Sequence, residues 1–232
     1  MCHSTKQKMS RAVILLSGGI DSATAAAIAK SKGHDLFALT IDYGQRHKIE
    51  IESAKKIAEH IGVTQHIIMP IDVRLFGGSS LTGEGEVPKD VPFERIGQII
   101  PNTYVPARNT VFLALALAYA ESVGAKKIYI GLSAVDYSGY PDCRPEFVHA
   151  FNALANLATR SGIESPLFSV EAPLLSLSKK ETILCGLALG IDYSLTCTCY
   201  DPSPVGKSCG CCESCQLRRR AFREAGIPDP AE

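Results

Sequence analysis

The chain has 232 residues, 46% of them hydrophobic and 21% charged, enough to bury one full α/β core with an appendage. Its 24 basic and 24 acidic residues cancel, so it lacks the overall basic excess of a nucleic-acid binder and leans toward a small-molecule partner. No signal-type apolar stretch follows the basic N-terminus, and the longest apolar run, residues 111–120, is far short of a membrane span, so a cytoplasmic protein is expected.

In chain order, residues 12–16 are a short apolar run ending at glycines, the mark of a buried strand. Residues 22–32 follow as an Ala-rich helix closed by Gly33, and residues 36–41 as a second strand. Ile51, Ala54, Ile57, Ala58 and Ile61 recur at helical spacing, with Gly62 after them. Residues 65–69 are a third strand. From about residue 72 to 106 the chain is polar and rich in Gly and Pro, a length that marks a lid, a binding segment or disorder. Residues 107–123 form a strongly apolar helix and 127–130 a fourth strand. Residues 145–160 read as helix, 168–172 as a fifth strand and 179–189 as a helix. The alternation predicts an α/β fold, a Rossmann-like, doubly wound, parallel five-stranded sheet with helices on both faces. In such sheets the ligand crevice lies beyond the carboxyl ends of the strands.

Ser17-Gly18-Gly19-Ile20-Asp21-Ser22 occupies that edge after the first strand. A strand, a glycine turn and a helix start aim backbone N–H groups and a positive helix end at one point, which is an anion site. The glycines let a phosphate approach bare backbone, and Ser17 and Ser22 add hydroxyl donors. The plain alternative is a tight turn capped by Asp21 or Ser22. Ser17, Asp21 and Ser22 flanking the glycines together at the first crossover argue against it. Neither G-x-x-x-x-G-K-[ST] nor G-x-G-x-x-G is present.

Six of nine cysteines lie between Cys197 and Cys215. Cytoplasmic thiols stay reduced, so this clustering points to metal. Cys209-x-x-Cys212-x-x-Cys215 sets three sulfurs at turn spacing, and one of Cys197 and Cys199 can complete a tetrahedron. A closed four-thiolate site is structural zinc; an iron–sulfur cluster is the rival that the same spacing allows. Metal would supply folding energy to a segment rich in Ser, Pro and Gly. Arg218, Arg219, Arg220 and Arg223 then read as a solvated helix end, with a phosphate contact as the alternative.

SGGIDS resembles the SGGxDS loop of the PP-loop ATP pyrophosphatases. That resemblance implies ATP held by Leu15, Leu16, Ser17, Gly18, Gly19, Ile20, Asp21, Ser22, Ala23 and Thr24 while a carboxylate or base carbonyl is activated, commonly by adenylation. Three rim stretches extend it: DYGQRHKIEIESA (42–54), VPARN (105–109) and AVDYSGYPDCRPEF (134–147). With SLSKKET and the cysteine tail, they closely resemble the 7-cyano-7-deazaguanine synthase family over nearly the whole chain. The family implies an adenine nucleotide alpha hydrolase-like fold and conversion of 7-carboxy-7-deazaguanine and ammonia to the nitrile with Mg-ATP.

On this sequence the resemblance implies Zn²⁺ on Cys199, Cys209, Cys212 and Cys215, with Cys197 and Cys211 as departures from the family pattern. Asp21, Arg108 and Lys179 become the catalytic candidates. Tyr137, Tyr140, Asp142, Arg144 and Glu146 become the candidates for the deazaguanine, since carboxylates accept from a guanine-like edge and rings stack on its face. Arg46 and His47 are candidates to close over the nucleotide, with a structural hydrogen-bonding role as the equal alternative for His47. Residues 1–190 would form the ATP-binding and catalytic domain, with 71–106 a partly ordered loop or lid, and 191–232 the zinc-binding segment. A homodimer without membrane or stable nucleic-acid partners is implied. Two rivals are a PP-loop tRNA-modifying ligase or thiolase, and a non-catalytic zinc-ribbon module that reads nucleic acid. The neutral charge disfavours the first and SGGIDS disfavours the second.

Overall fold

The computed structural model describes residues 10–83, 85–134, 139–164 and 168–231. Its first strand, β1 (Arg11–Leu15), sends Val13 and Leu15 into one apolar layer and Ala12 and Ile14 into the other, the two-residue alternation of a pleated strand. β2 (Asp35–Asp42), β3 (Gln65–Pro70), β4 (Lys127–Tyr129) and β5 (Ser169–Glu171) complete one sheet in the order β3-β2-β1-β4-β5. Every pairing is parallel. This is the five-stranded doubly wound sheet that the alternation predicts.

Seven α-helices lie among the described residues: α1 (Ile20–Ser31), α2 (Ile49–Ile61), α3 (Arg108–Val123), α4 (Pro145–Ala158), α5 (Arg160–Glu164), α6 (Lys179–Ala188) and α7 (Glu213–Ala225). Leu113, Ala116, Leu117 and Ala120 of α3 and Val148, Phe151 and Ala155 of α4 cover the face of Val13 and Leu15. The alanines of α1, Ile57 of α2, Ile183 of α6 and Phe222 of α7 cover the face of Ile14. Small side chains let α1 be buried nearly all round. Gly186 of α6 is packed so closely on the Tyr193 hydroxyl that it has no room for a Cβ.

One helix predicted over residues 145–160 is two. Thr159 has extended backbone, its hydroxyl donates to the Ala155 carbonyl, and it accepts from the Gly162 amide. A hydroxyl that competes for backbone partners in this way ends a helix. Among its described residues, the long polar stretch between β3 and α3 has only two 3₁₀ turns, Val73–Phe76 and Phe93–Arg95, yet it is packed. Ser80, Leu81, Val87, Thr103 and Val105 are buried, and Lys89 forms an antiparallel bridge to Cys212.

Arg218 departs from the solvated helix end that its sequence suggests. It is buried, with Nε and Nη2 donating to the Asp229 carboxylate at 2.7 and 2.8 Å and Nη1 to the Thr196 hydroxyl at 2.7 Å. The charge is tolerated because the fork is filled. No described helix is long and apolar enough to cross a membrane. Because β2 and β4 flank β1, the strand order reverses there, and the crevice opens beyond the carboxyl ends of β1 and β4.

Candidate active site and metal centre

Residues 16–19 join β1 to α1 at that crevice. Ser22 Oγ accepts from the Ser17 amide at 3.2 Å and donates to the Gly19 carbonyl at 3.0 Å, so one hydroxyl cross-braces the loop. Gly19 is the N-cap of α1 and brings no side-chain cap, which leaves the first-turn amides to solvent or an anion. The glycines differ in purpose. Gly18, at φ +90°, lies directly beneath the Glu50 carbonyl, where no Cβ fits, so it serves packing against α2. Gly19 meets only ordinary contacts from Thr198 and Cys197. Gly131, which follows β4, would set a Cβ 2.6 Å from the Asp21 carbonyl carbon. Sequence reading missed it; a glycine right after the fourth strand was the available signal.

A cavity of about 270 Å³ fills the crevice. Of the predicted nucleotide residues, Leu15, Leu16, Ser17, Gly19, Ile20, Asp21 and Ser22 line it. Gly18, Ala23 and Thr24 do not: Ala23 is inside the core, and the Thr24 hydroxyl bonds the Ile20 carbonyl and the Tyr193 hydroxyl. All three catalytic candidates, Asp21, Arg108 and Lys179, line the cavity. Lys179 Nζ donates to both Asp21 carboxylate oxygens, at 2.8 and 2.7 Å. Its place is set locally: Ser178 and Glu181 form a capping box that starts α6 at Lys179. Arg108 is half-buried between the rings of Tyr43 and Tyr140, 5.8 and 6.0 Å from their centroids. Burial opposes its charge, but Tyr43, Tyr140, Tyr200 and Asp142 outweigh that and hold the guanidinium strongly protonated.

Of the five residues proposed for the deazaguanine, the structure brings Tyr140 to the cavity among those it describes. Tyr140 lines the cavity and its hydroxyl pairs with Thr103 at 3.0 Å. Arg144 and Glu146 are exposed at the start of α4 and do not line the cavity; Arg144 Nε donates to the Pro141 carbonyl. Asp142 is buried away from the cavity, accepting from the Asn109 amide at 2.9 Å, so its carboxylate caps the start of α3. Tyr137 and Asp136 lie outside the described residues. Arg46 donates to the Gly85 carbonyl and His47 Nε2 lies 3.4 Å from Asp201; neither lines the cavity. Replacing Asp142 with Ala is therefore expected to cost stability of about 1–3 kcal/mol by orphaning a buried amide, read as a lower midpoint in urea. An unchanged midpoint would remove Asp142 from the cap of α3.

Glu50, Gln45, Phe112, Ser133, Cys143 and Thr198 also line the cavity and were not singled out by sequence. Burial pushes the Glu50 carboxyl up to about 7, with Arg108 pulling the other way. Burial, and then Glu50, push Tyr43 up to about 12, and burial does the same to Cys143, which makes that thiol a poor nucleophile.

Behind one cavity wall, Cys199, Cys209, Cys212 and Cys215 bring their sulfurs within 4.8 Å of one another, and those of Cys209 and Cys215 are 3.9 Å apart. A tetrahedral ion with Zn–S bonds near 2.3 Å needs sulfur separations of roughly 3.8 Å, so the set fits a metal. Amides of Asp201 and Cys209 point at Cys199 Sγ and that of Cys212 at Cys209 Sγ, as thiolates require. The choice between Cys197 and Cys199 is resolved: Cys199 joins the cluster, whereas Cys197 lines the cavity and its amide donates to the Gly18 carbonyl. Cys211 stands outside, its carbonyl accepting from the Asp90 amide and Gln216.

Residues 11–226 match the family described as queuosine biosynthesis protein QueC. The chain belongs to that family. Among QueC-family relatives, the 7-cyano-7-deazaguanine synthase of Myxococcus xanthus is 55% identical over 220 residues, covering 95% of this chain and 96% of its own. That of Paramagnetospirillum magneticum is 54% identical over 224 residues, covering 97% and 99%. In fold, the QueC-family chain is similar to the NMN synthetase structure from Francisella tularensis, at TM-score 0.50 and 17% identity over 95% of this chain and 79% of that one.

Proposed function

We propose that this chain is a 7-cyano-7-deazaguanine synthase, which converts 7-carboxy-7-deazaguanine and ammonia to the nitrile at the expense of Mg-ATP and so supplies queuosine synthesis for tRNA. The observation that carries this reading is one cavity that holds a phosphate loop, the Asp21–Lys179 pair and Arg108 together. Relatives of that printed activity match 95% and 97% of the chain.

A carboxylate is a poor electrophile, so one oxygen must first become a leaving group. Adenylation of the acid does this; ammonia then displaces AMP to give the amide, and a second adenylation lets the amide oxygen depart. Amides of residues 17–22 and the Ser17 and Ser22 hydroxyls would hold the triphosphate. Asp21 would hold Mg²⁺ on it, while Lys179 and Arg108 would stabilise charge on the reacting phosphate. Tyr140 and Tyr43 offer ring faces to the deazaguanine. Residues 191–232 would act as a zinc-held wall of the site: Cys199, Cys209, Cys212 and Cys215 leave a zinc ion no open position, so it supplies structure. This reading carries a cytoplasmic homodimer.

The test is incubation of the purified chain with 7-carboxy-7-deazaguanine, ammonium and Mg-ATP, with products followed by mass spectrometry. The nitrile is expected, together with AMP and pyrophosphate. Its absence, with substrate returned unchanged, would end the reading.

A further inference from the structure

Glu50 is a charged group on the cavity wall that the activation chemistry leaves without a task. It belongs to the first turn of α2, where an ordinary acid would be solvated and would favour the helix dipole. Glu52 behaves in that way: it is exposed and pairs with Lys55 at 2.7 Å. Glu50 instead is half-buried, and among the described residues no hydrogen bond or ion pair engages its carboxylate. Its backbone is clamped to the phosphate loop, since its carbonyl covers Gly18, whose own carbonyl accepts from the Cys197 amide at 2.9 Å. The titratable groups that face it are Tyr43, Arg108 and Cys197. A carboxylate held in a cleft without a partner is costly unless it is used.

The proposed reaction has an unmet need. Ammonia brings three protons on nitrogen and the nitrile keeps none. When the lone pair of ammonia forms the C–N bond and the carbonyl re-forms, the C–O bond to AMP breaks and an N–H bond must break, its electron pair staying on nitrogen. After the second adenylation, the remaining N–H pairs become C–N bonds as the last C–O bond breaks. Each oxygen leaves in AMP; each proton needs a base. We infer that Glu50 is the catalytic base that takes these nitrogen-borne protons and returns them to water. The inference rests on the reading given under Proposed function.

The pull of burial toward a value near 7 suits a base that must accept and release protons at neutral pH. The experiment separates activation from proton removal in Glu50→Gln. Exchange of labelled pyrophosphate into ATP, driven by 7-carboxy-7-deazaguanine without ammonium, is expected to stay within about threefold of the parent, because it needs no base. Nitrile formation is expected to fall about 100-fold, and Glu50→Asp to recover part of it. With free ammonia held constant, the parent's rate should rise with pH through about 7, and that rise should vanish in Glu50→Gln. Stability guards against a trivial loss. A carboxyl whose pKa is raised on folding stabilises below its unfolded value and loses that contribution as pH rises through about 7. Glu50→Gln should therefore melt no lower than the parent at pH 8. Nitrile formation within tenfold of the parent, or an equal fall in exchange, would overturn the role. Absence of nitrile from the parent chain would instead fail the functional reading itself.

Discussion

Asp21→Ala is expected to lower nitrile formation at least about 10³-fold while leaving the fold in place. Two functions leave with the carboxylate. It is the partner of Lys179 at 2.8 and 2.7 Å, and it is the proposed Mg²⁺ ligand at the loop proposed to hold the triphosphate. Loss of a single preorganised group at a reacting centre costs about 10²–10³ in rate, and here the lysine would also lose its orientation. The stability effect should be small, because the Asp21 side chain is 29% exposed and that of Lys179 15%, where water screens the pair. Circular dichroism melts and product formation measure the two separately. If the pair acts as a unit, the double variant Asp21→Ala with Lys179→Ala should be no slower than the worse single variant. A rate within tenfold of the parent for Asp21→Ala would remove this carboxylate from phosphate chemistry.

Cys212→Ser is expected to lose the metal, to lower the melting temperature by at least about 10 °C and to weaken ATP binding more than tenfold. The sulfur belongs to a residue with no exposed surface, and the closed thiolate set is where the metal would supply folding energy. A loss of about 4 kcal/mol shifts the midpoint of a chain this size by roughly 8–16 °C. ATP affinity follows from connectivity: Cys199 is flanked by Cys197, Thr198 and Tyr200, which line the cavity, and the Cys197 amide is bonded to Gly18. Lys89 also reaches the cluster, through its bridge to Cys212 and its 3.0 Å pair with Asp201. Elemental analysis, thermal melts and equilibrium dialysis with ATP read the three effects. One zinc per parent chain with no visible absorbance would exclude an iron–sulfur cluster. Cys211→Ser should keep its metal, and a full load in Cys212→Ser would assign the ion elsewhere.

The elements whose signal is local were legible. β1 and β2 are buried apolar runs, α2 shows a clean helical period, and Gly33, Gly62 and Gly124 mark where helices stop. Cysteines three apart announced, before any fold was known, a cluster that could hold a metal ion. What was not legible needed neighbours distant in sequence. Arg144 and Glu146 looked as well placed as Tyr140, but α4 begins between them and carries both to the surface. Arg218 looked solvated until Asp229 and Thr196 were brought against it.

By itself, then, the order of residues determined the parallel sheet, the turn after the first strand and three of the four clustered thiols, because each depends on periods and spacings within one segment. Only the tertiary structure decided that Cys199 and not Cys197 joins the cluster, that Asp142 caps a helix, and that Glu50 faces the cavity. Those outcomes turn on which backbone passes within a few ångströms of another far along the chain. Burial and the partner supplied from elsewhere set what a polar group can do, and no local pattern carries that information.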